Sequence, residues 1–178
     1  MPDLVSGDDF IDLFRRFDHT AFRLEVRRSY GIVEEDEPYQ RFLAGEDPGL
    51  DWFQTWLTLM RQVTSAGKRV ERVRLIDEPP SDYLRFELWG TPYNLDAGED
   101  IRYLSHEAGE KLDLPSYDYW LFDNRLVARV EFAADDQFLG ATLSDDPEDV
   151  LRHAHYRDAA WHHAITFSRY RQEHTART

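Results

Sequence analysis

Across residues 20–28 the chain alternates: Phe22, Leu24 and Val26 fall on one side, and Arg23, Glu25 and Arg27 on the other. A period of two is that of a β-strand, and a strand with one apolar and one charged side is half-buried. Tyr30 and Gly31 end the pattern. Just upstream the period is different. Phe10, Leu13, Phe14 and Phe17 recur at helical spacing behind Ser6 as an N-cap, with Asp8 and Asp9 in the first turn facing the positive end of the helix dipole. The chain therefore begins helix, then strand, and any fold has to lay the one against the other.

The same reading carries through the rest. Beyond the acidic loop at 34–37 and Pro38, residues 39–44 make a short helix ended by Gly45. A helix whose apolar face holds Trp52, Phe53, Trp56, Leu57, Met60 and Val63 follows and stops at Gly67. Residues 69–76 read as a strand, and Pro79 and Pro80 turn the chain. From Tyr83 a helix is expected, interrupted at Gly90, Thr91 and Pro92 and resuming to Ala97. Strands follow at 101–104 and 119–122, and then a hairpin of 126–132 and 137–143 around a turn at 133–136. Asp145 or Asp146 with Pro147, Glu148 and Asp149 starts a long C-terminal helix to about Tyr170. The expected fold is α+β, with mixed α/β as the alternative: a mostly antiparallel central sheet of five to six strands, flanked by helices. With neither repeat nor linker, residues 1–178 form one domain with an ordered core at about 8–170.

Composition narrows the chemistry. The chain has no cysteine, which removes disulfides, thiolate nucleophiles and cysteine-ligated metals. Its 35 acids against 21 Lys and Arg give a net charge of −14, a field that repels phosphate backbones and anionic lipid, so neither nucleic acid nor membrane is an expected partner. No apolar run approaches the ~18 residues of a membrane span, and the acidic first ten residues do not resemble a signal peptide. A cytoplasmic location is the expectation.

Among polar residues, Arg23, Glu25, Arg74, Arg85, Glu87 and Asp123 sit in or beside segments expected to pack on the core. Two readings compete. The plainer is a salt-bridge network or the solvent face of the strand at 20–28; the sharper is a polar pocket gripping an anion through bidentate arginine, with Tyr83 and Trp120 in its wall. On the C-terminal helix His155, Asp158 and His162 share a face, but two histidines seven residues apart lie ~10 Å apart along the axis, too far to share one ion. No metal and no cofactor is expected. No Gly-x-Ser-x-Gly motif or Ser beside a base points to nucleophilic catalysis.

Five stretches carry a resemblance: residues 17–25 (FDHTAFRLE), 82–87 (DYLRFE), 97–99 (AGE), 120–123 (WLFD) and 157–161 (RDAAW). Together they resemble an uncharacterised actinobacterial domain-of-unknown-function family over roughly residues 10–164. The resemblance implies accessory proteins that accompany XRE-type helix-turn-helix regulators. A second, fold-level resemblance is to phospholipase-D-like domains, in the order strand 101–104, strand ending at Asp123, hairpin, and a helix carrying Trp161. Enzymes of that fold use a histidine, a lysine two residues on, and an aspartate beyond. Here residue 66, two before Lys68, is alanine, and residue 109, two before Lys111, is glycine.

The resulting expectation is a non-enzymatic accessory or sensor-like protein acting through a protein partner, such as a helix-turn-helix regulator, with a small-ligand pocket. The alternative is a small enzyme or nuclease-like protein using Arg85, Glu87 and Asp123 with His19 as acid or base. A convergence of these side chains on one water-accessible cleft would favour the enzyme.

Overall fold

In the computed structural model, residues 4–175 are described. The elements in order are α1 (Gly7–Arg16), β1 (Thr20–Glu25), a 3₁₀ turn (Val33–Glu35), α2 (Asp36–Leu43), a second 3₁₀ turn (Asp51–Phe53), α3 (Gln54–Ser65), β2 (Arg69–Ile76), α4 (Asp82–Asp96) and β3 (Asp100–Ser105). Then come α5 (His106–Lys111), β4 (Tyr119–Phe122), β5 (Leu126–Phe132), β6 (Phe138–Ser144), α6 (Pro147–His163), β7 (Ile165–Thr166) and α7 (Phe167–Thr175).

Among the described residues the strands form one seven-stranded sheet in the order β6-β5-β4-β1-β2-β3-β7. β1, β2 and β3 run parallel, and the remaining pairs are antiparallel. The mostly antiparallel sheet of five to six strands is thus corrected to a mixed sheet of seven. The reason lies in the connections. α3 and α4 each follow a strand and carry the chain back to its starting end, and such a crossover places the next strand parallel to the last. The seventh strand is two residues long, below what periodicity resolves.

Three boundaries also differ. β1 stops at Glu25 because the next amide, Val26 N–H, donates to Asp118 Oδ1 at 2.8 Å instead of to a neighbouring strand. α4 runs unbroken through Pro92, where an interruption was expected. Thr91 Oγ1 donates to the Glu87 carbonyl at 2.9 Å and accepts from the Tyr103 hydroxyl at 2.8 Å, so this turn is pinned by its side chain. The long C-terminal helix breaks at Ala164, whose φ of −72° and ψ of 145° are extended. Ile165 then pairs with Tyr103 and Thr166 with Arg102, satisfying the outer edge of β3 before α7 begins. Side chains that the sequence offers cap the starts of α4 and α6, Ser81 Oγ accepting from Leu84 N and Asp146 from Glu148 N and Asp149 N, whereas Ser6 stands at the N-cap of α1 without a side-chain cap bond.

Helices cover both faces of the sheet. On one, α1 and α3 bury Phe14, Leu57 and Met60 against Ala21, Val70, Trp120 and Phe122; on the other, α5 and α6 cover Phe22, Leu24, Val73 and Leu121. Trp161 joins the second layer, together with Val150, Ala154 and Ala164, but stays half-exposed, with the Arg102 guanidinium 3.7 Å over its ring. No helix among the described residues is long and apolar enough to cross a membrane.

Candidate functional site

The alternation of β1 and β2 decides what the α3/α4 side of the sheet looks like. Ala21, Arg23 and Glu25 point the same way along β1, as do Val70, Arg72 and Arg74 along β2. The register aligns Ala21 with Val70, Arg23 with Arg72, and Glu25 with Arg74. One half of this face is therefore apolar core. The other, at the carboxyl ends of the parallel strands, carries three arginines and a glutamate where the core would otherwise continue.

Besides Glu25, carboxylates from three other segments meet these arginines. Glu25 Oε2 accepts from Arg74 Nε at 2.6 Å, and its Oε1 lies 3.3 Å from both Arg72 Nη1 and Arg23 Nε. Arg72 Nη2 lies 2.7 Å from Glu99 Oε1, while Glu99 Oε2 accepts from Trp56 Nε1 at 3.0 Å and Asn94 Nδ2 at 2.5 Å. Arg23 Nη2 reaches Asp118 Oδ2 at 3.0 Å, an oxygen that also accepts from the Tyr30 hydroxyl at 2.7 Å. Arg74 Nη2 stands 3.4 Å from Glu87 Oε1. Below them the Trp120 ring carries the guanidinium groups of Arg23 and Arg72, each 5.6 Å from its centroid.

Above them is a cavity of about 90 Å³. α4 supplies Tyr83, Glu87 and Asn94 to its wall, and the segment around the first 3₁₀ turn supplies Ile32 and Glu35. This roof is held by aromatic contact: Tyr39 of α2 packs 5.4 Å from both Tyr83 and Phe86, and Phe42 5.6 Å from Phe86. Tyr83 donates its hydroxyl to Glu35 Oε2 at 2.6 Å.

The carboxyls differ in protonation for identifiable reasons. Burial alone would raise the Glu25 carboxyl, but Arg74, then Arg23 and Arg72, overcome it and hold Glu25 at about 2. Glu87 goes the other way. Burial outweighs its contact with Arg74, and the charges of Glu25 and Glu35 add to the effect, pushing Glu87 up to about 8. Glu35 is also raised, by burial that exceeds the help of the Tyr83 hydrogen bond. The site therefore sets a carboxyl held low, Glu25, and a carboxyl pushed up, Glu87, on either side of Arg74. Among the described residues three buried guanidinium nitrogens of the site have no hydrogen-bond acceptor, Arg23 Nε, Arg72 Nε and Arg74 Nη1; of the three arginines, Arg74 is the one that also stands against Glu87. A buried guanidinium N–H without an acceptor is costly unless a water or ligand oxygen meets it.

Of the residues expected at a site, Arg23, Glu25, Arg74, Tyr83 and Glu87 converge here and line the cavity. Trp120 lies under the arginines at 1 % exposure, a floor rather than a wall. Three expectations are corrected. Arg85 points outward from α4 and pairs with Asp82 at 3.2 Å, both side chains being more than half exposed. Successive helical side chains diverge by ~100°, so Arg85 cannot share the buried direction of Phe86. Asp123 follows β4 and binds the start of β1, accepting from the amides of Asp18, His19 and Thr20 at 2.7, 2.7 and 2.9 Å. His19 sits beside it, about 20 Å from Glu25 by the rise of an extended strand. The supposed acid or base and its aspartate therefore form a loop anchor at the opposite end of the strand. Lys68, which donates to the Phe17 carbonyl, and Lys111, paired with Glu107, are outside the cavity wall.

Sequence reasoning missed Arg72, Glu99, Asp118, Tyr30, Glu35 and Asn94. Arg72 alone had a local signal, since it sits two residues before Arg74 and must share its face.

The family model described as a domain of unknown function, DUF6879, matches residues 8–172. No curated protein matches the chain. Among solved structures, NucT from Helicobacter pylori superposes with a TM-score of 0.50 at 10% identity, covering 89% of each chain. Phosphatidylserine synthase from Haemophilus influenzae Rd KW20 gives a TM-score of 0.47 at 12% identity, over 92% of this chain and 38% of that one. The fold is thus phospholipase-D-like, as the second resemblance implied. The likeness to NucT, which shows the fold, weighs against the expected non-enzymatic regulatory accessory and sides with the alternative reading.

Proposed function

We propose, from the premise that the chain belongs to the DUF6879 family, that it is a small enzyme hydrolysing a compact anionic ester, with the cavity over β1 and β2 as its active site. The observation that carries this reading is the geometry on the cavity wall: the buried Arg74 guanidinium, whose Nη1 has no acceptor among the described residues, stands 3.4 Å from Oε1 of Glu87, a carboxyl that burial pushes up to about 8. A fixed cation and an acid poised near neutral pH, together in a cleft, are a pairing that acid–base catalysis needs and that a purely structural network does not.

In this reading Arg74 Nη1 donates to the anionic oxygen of the substrate. The bond to the leaving oxygen breaks as that oxygen takes the Glu87 proton, while a water oxygen bonds to the phosphorus or carbonyl centre. The proton shed by that water returns to the Glu87 carboxylate, which Arg74 stabilises in the interval. Arg23 and Arg72 hold Glu25 ionised, which keeps the charge on Arg74 fixed rather than shared with Glu87. The cavity of about 90 Å³ and the net charge of −14 favour a small substrate over a polynucleotide.

The test is turnover of p-nitrophenyl phosphate, bis-p-nitrophenyl phosphate and p-nitrophenyl acetate by the purified chain and by Glu87→Gln. Hydrolysis of one of them, lost in the folded variant, is the expected result. Equal rates in both proteins, or none with any ester, would count against the assignment.

A further inference from the structure

α4 has two working faces. Tyr83, Phe86, Glu87 and Asn94 turn toward the cavity; Arg85, Leu88 and Trp89 turn toward α7, and between the two helices lies a groove of about 420 Å³. That is the size of a small-ligand site. Phe167, Arg171 and His174 form the α7 wall, and among the described residues no aspartate or glutamate lines the groove, although Glu78 stands behind it 2.7 Å from His174 Nε2 and acids outnumber Lys and Arg 35 to 21 in the chain.

Two columns of stacked rings end on its walls. One runs Phe53, Trp52, Phe86, Trp89 at centroid spacings of 4.8, 5.5 and 6.0 Å. The other runs Tyr103, Tyr170, His174 at 4.9 and 4.1 Å. The rings are anchored from behind, Tyr103 by Thr91 and Tyr170 by Glu78, which accepts from its hydroxyl at 2.9 Å. Arg171 adds a guanidinium 5.8 Å from the Phe167 centroid. Arg85 is tied to Asp82 by an exposed pair, which is worth little and gives way readily to a better anion.

We propose that this groove binds a small planar aromatic anion, its ring against the aromatic walls at Trp89 and His174 and its charged group at Arg85 and Arg171. Rigid aromatic faces recognise a planar π-system, and paired guanidinium groups recognise an oxyanion. The charge of the whole chain sets the size limit: −14 repels a long polyanion, while a single phosphate or carboxylate sees mainly the nearest groups within a Debye length of ~8 Å. The site is separate from the cavity and stands whether or not the hydrolase reading does.

Adenosine monophosphate is a suitable probe, followed by calorimetric titration of the full chain. Saturable binding is expected, at least about tenfold tighter than inorganic phosphate or adenosine alone. The double variant Arg85→Met, Arg171→Met should lose at least about tenfold in affinity, and so should Trp89→Ala if circular dichroism shows it folded; Glu87→Gln should bind as the parent does. The arginine variant alters only exposed side chains, so it keeps the question open to refutation even if Trp89→Ala fails to fold. The proposal is overturned by absence of saturation at about 5 mM, by phosphate binding as well as the nucleotide, by tighter binding of a single-stranded oligonucleotide, or by loss of binding in Glu87→Gln.

Discussion

Arg74 is bonded closely to Glu25 and only loosely to Glu87: its Nε reaches Glu25 at 2.6 Å, and its Nη2 stands 3.4 Å from Glu87. Glu25 is buried and Glu87 partly so, yet the one in the closer contact, shared with two more arginines, is held low, and the other is pushed up. The asymmetry turns a salt-bridge network into a site with one committed and one available acid.

Arg74→Met should destabilise the protein strongly, because it leaves Glu25 short of its closest cation at 3 % exposure. Breaking a buried pair costs about 3–5 kcal/mol. Arg85→Met, on the same cluster in sequence terms but on the surface in space, should change stability by less than about 0.5 kcal/mol. Urea titration of both variants checks the contrast, and similar losses in the two would contradict the assigned geometry.

Stability should fall as pH rises through the neutral range because of Glu87. Its carboxyl is raised from 4.5 to about 8 in the folded chain, so between those values the folded state holds a proton that the unfolded state has released. The contribution is complete below pH 4.5 and is lost as pH rises to about 8, at no more than about 1.4 kcal/mol per pH unit. Glu25, held at about 2, acts oppositely, contributing above 4.5 and losing that contribution as pH falls toward 2. Unfolding free energies at pH 5, 6, 7 and 8 for the parent and Glu87→Gln provide the check: the decline should be flatter in the variant.

Asp123→Ala should destabilise the loop before β1, since one carboxylate serves the amides of Asp18, His19 and Thr20. Leaving those donors without their acceptor costs about 1–3 kcal/mol in total once water reaches the more exposed ones. Ester turnover at 25 °C should be unaffected in the folded variant, because this anchor lies at the far end of β1. A stable but inactive Asp123→Ala protein would return Asp123 to the list of catalytic candidates.

Trp161→Ala should cost about 2 kcal/mol, below the 3–5 kcal/mol of a fully buried aromatic. Its ring contacts Phe22 edge-on at 6.4 Å on one side and carries Arg102 on the other, so part of its surface meets solvent already. Denaturant midpoints of Trp161→Ala and Arg102→Met would separate the ring's packing from its contact with the cation.

Much of the secondary structure was written locally. The two-residue period of β1, the helical spacing of Phe10, Leu13, Phe14 and Phe17, and the caps Ser81 and Asp146 each depend on residues a few positions apart, so they are visible in the chain itself. The features that were misread all depend on distant partners. Thr91 keeps α4 whole partly through Tyr103, and Ala164 ends α6 where the edge of β3 offers pairing to Ile165 and Thr166.

The candidate site divides in the same way. Alternation placed Arg23 with Glu25, and the same rule joins Arg72 to Arg74, so the sequence by itself determined that charged side chains would leave one face of the central strands. Which carboxylates meet them was settled by tertiary structure alone, because Glu99, Asp118 and Glu87 come from three separate segments and reach the arginines only once β1 and β2 lie parallel in register. Residue type fixes what charge a side chain carries in water. Burial and neighbouring charge decide whether it keeps that charge, and both are properties of the folded chain, which is why Glu25 and Glu87, identical in sequence, differ in their protons.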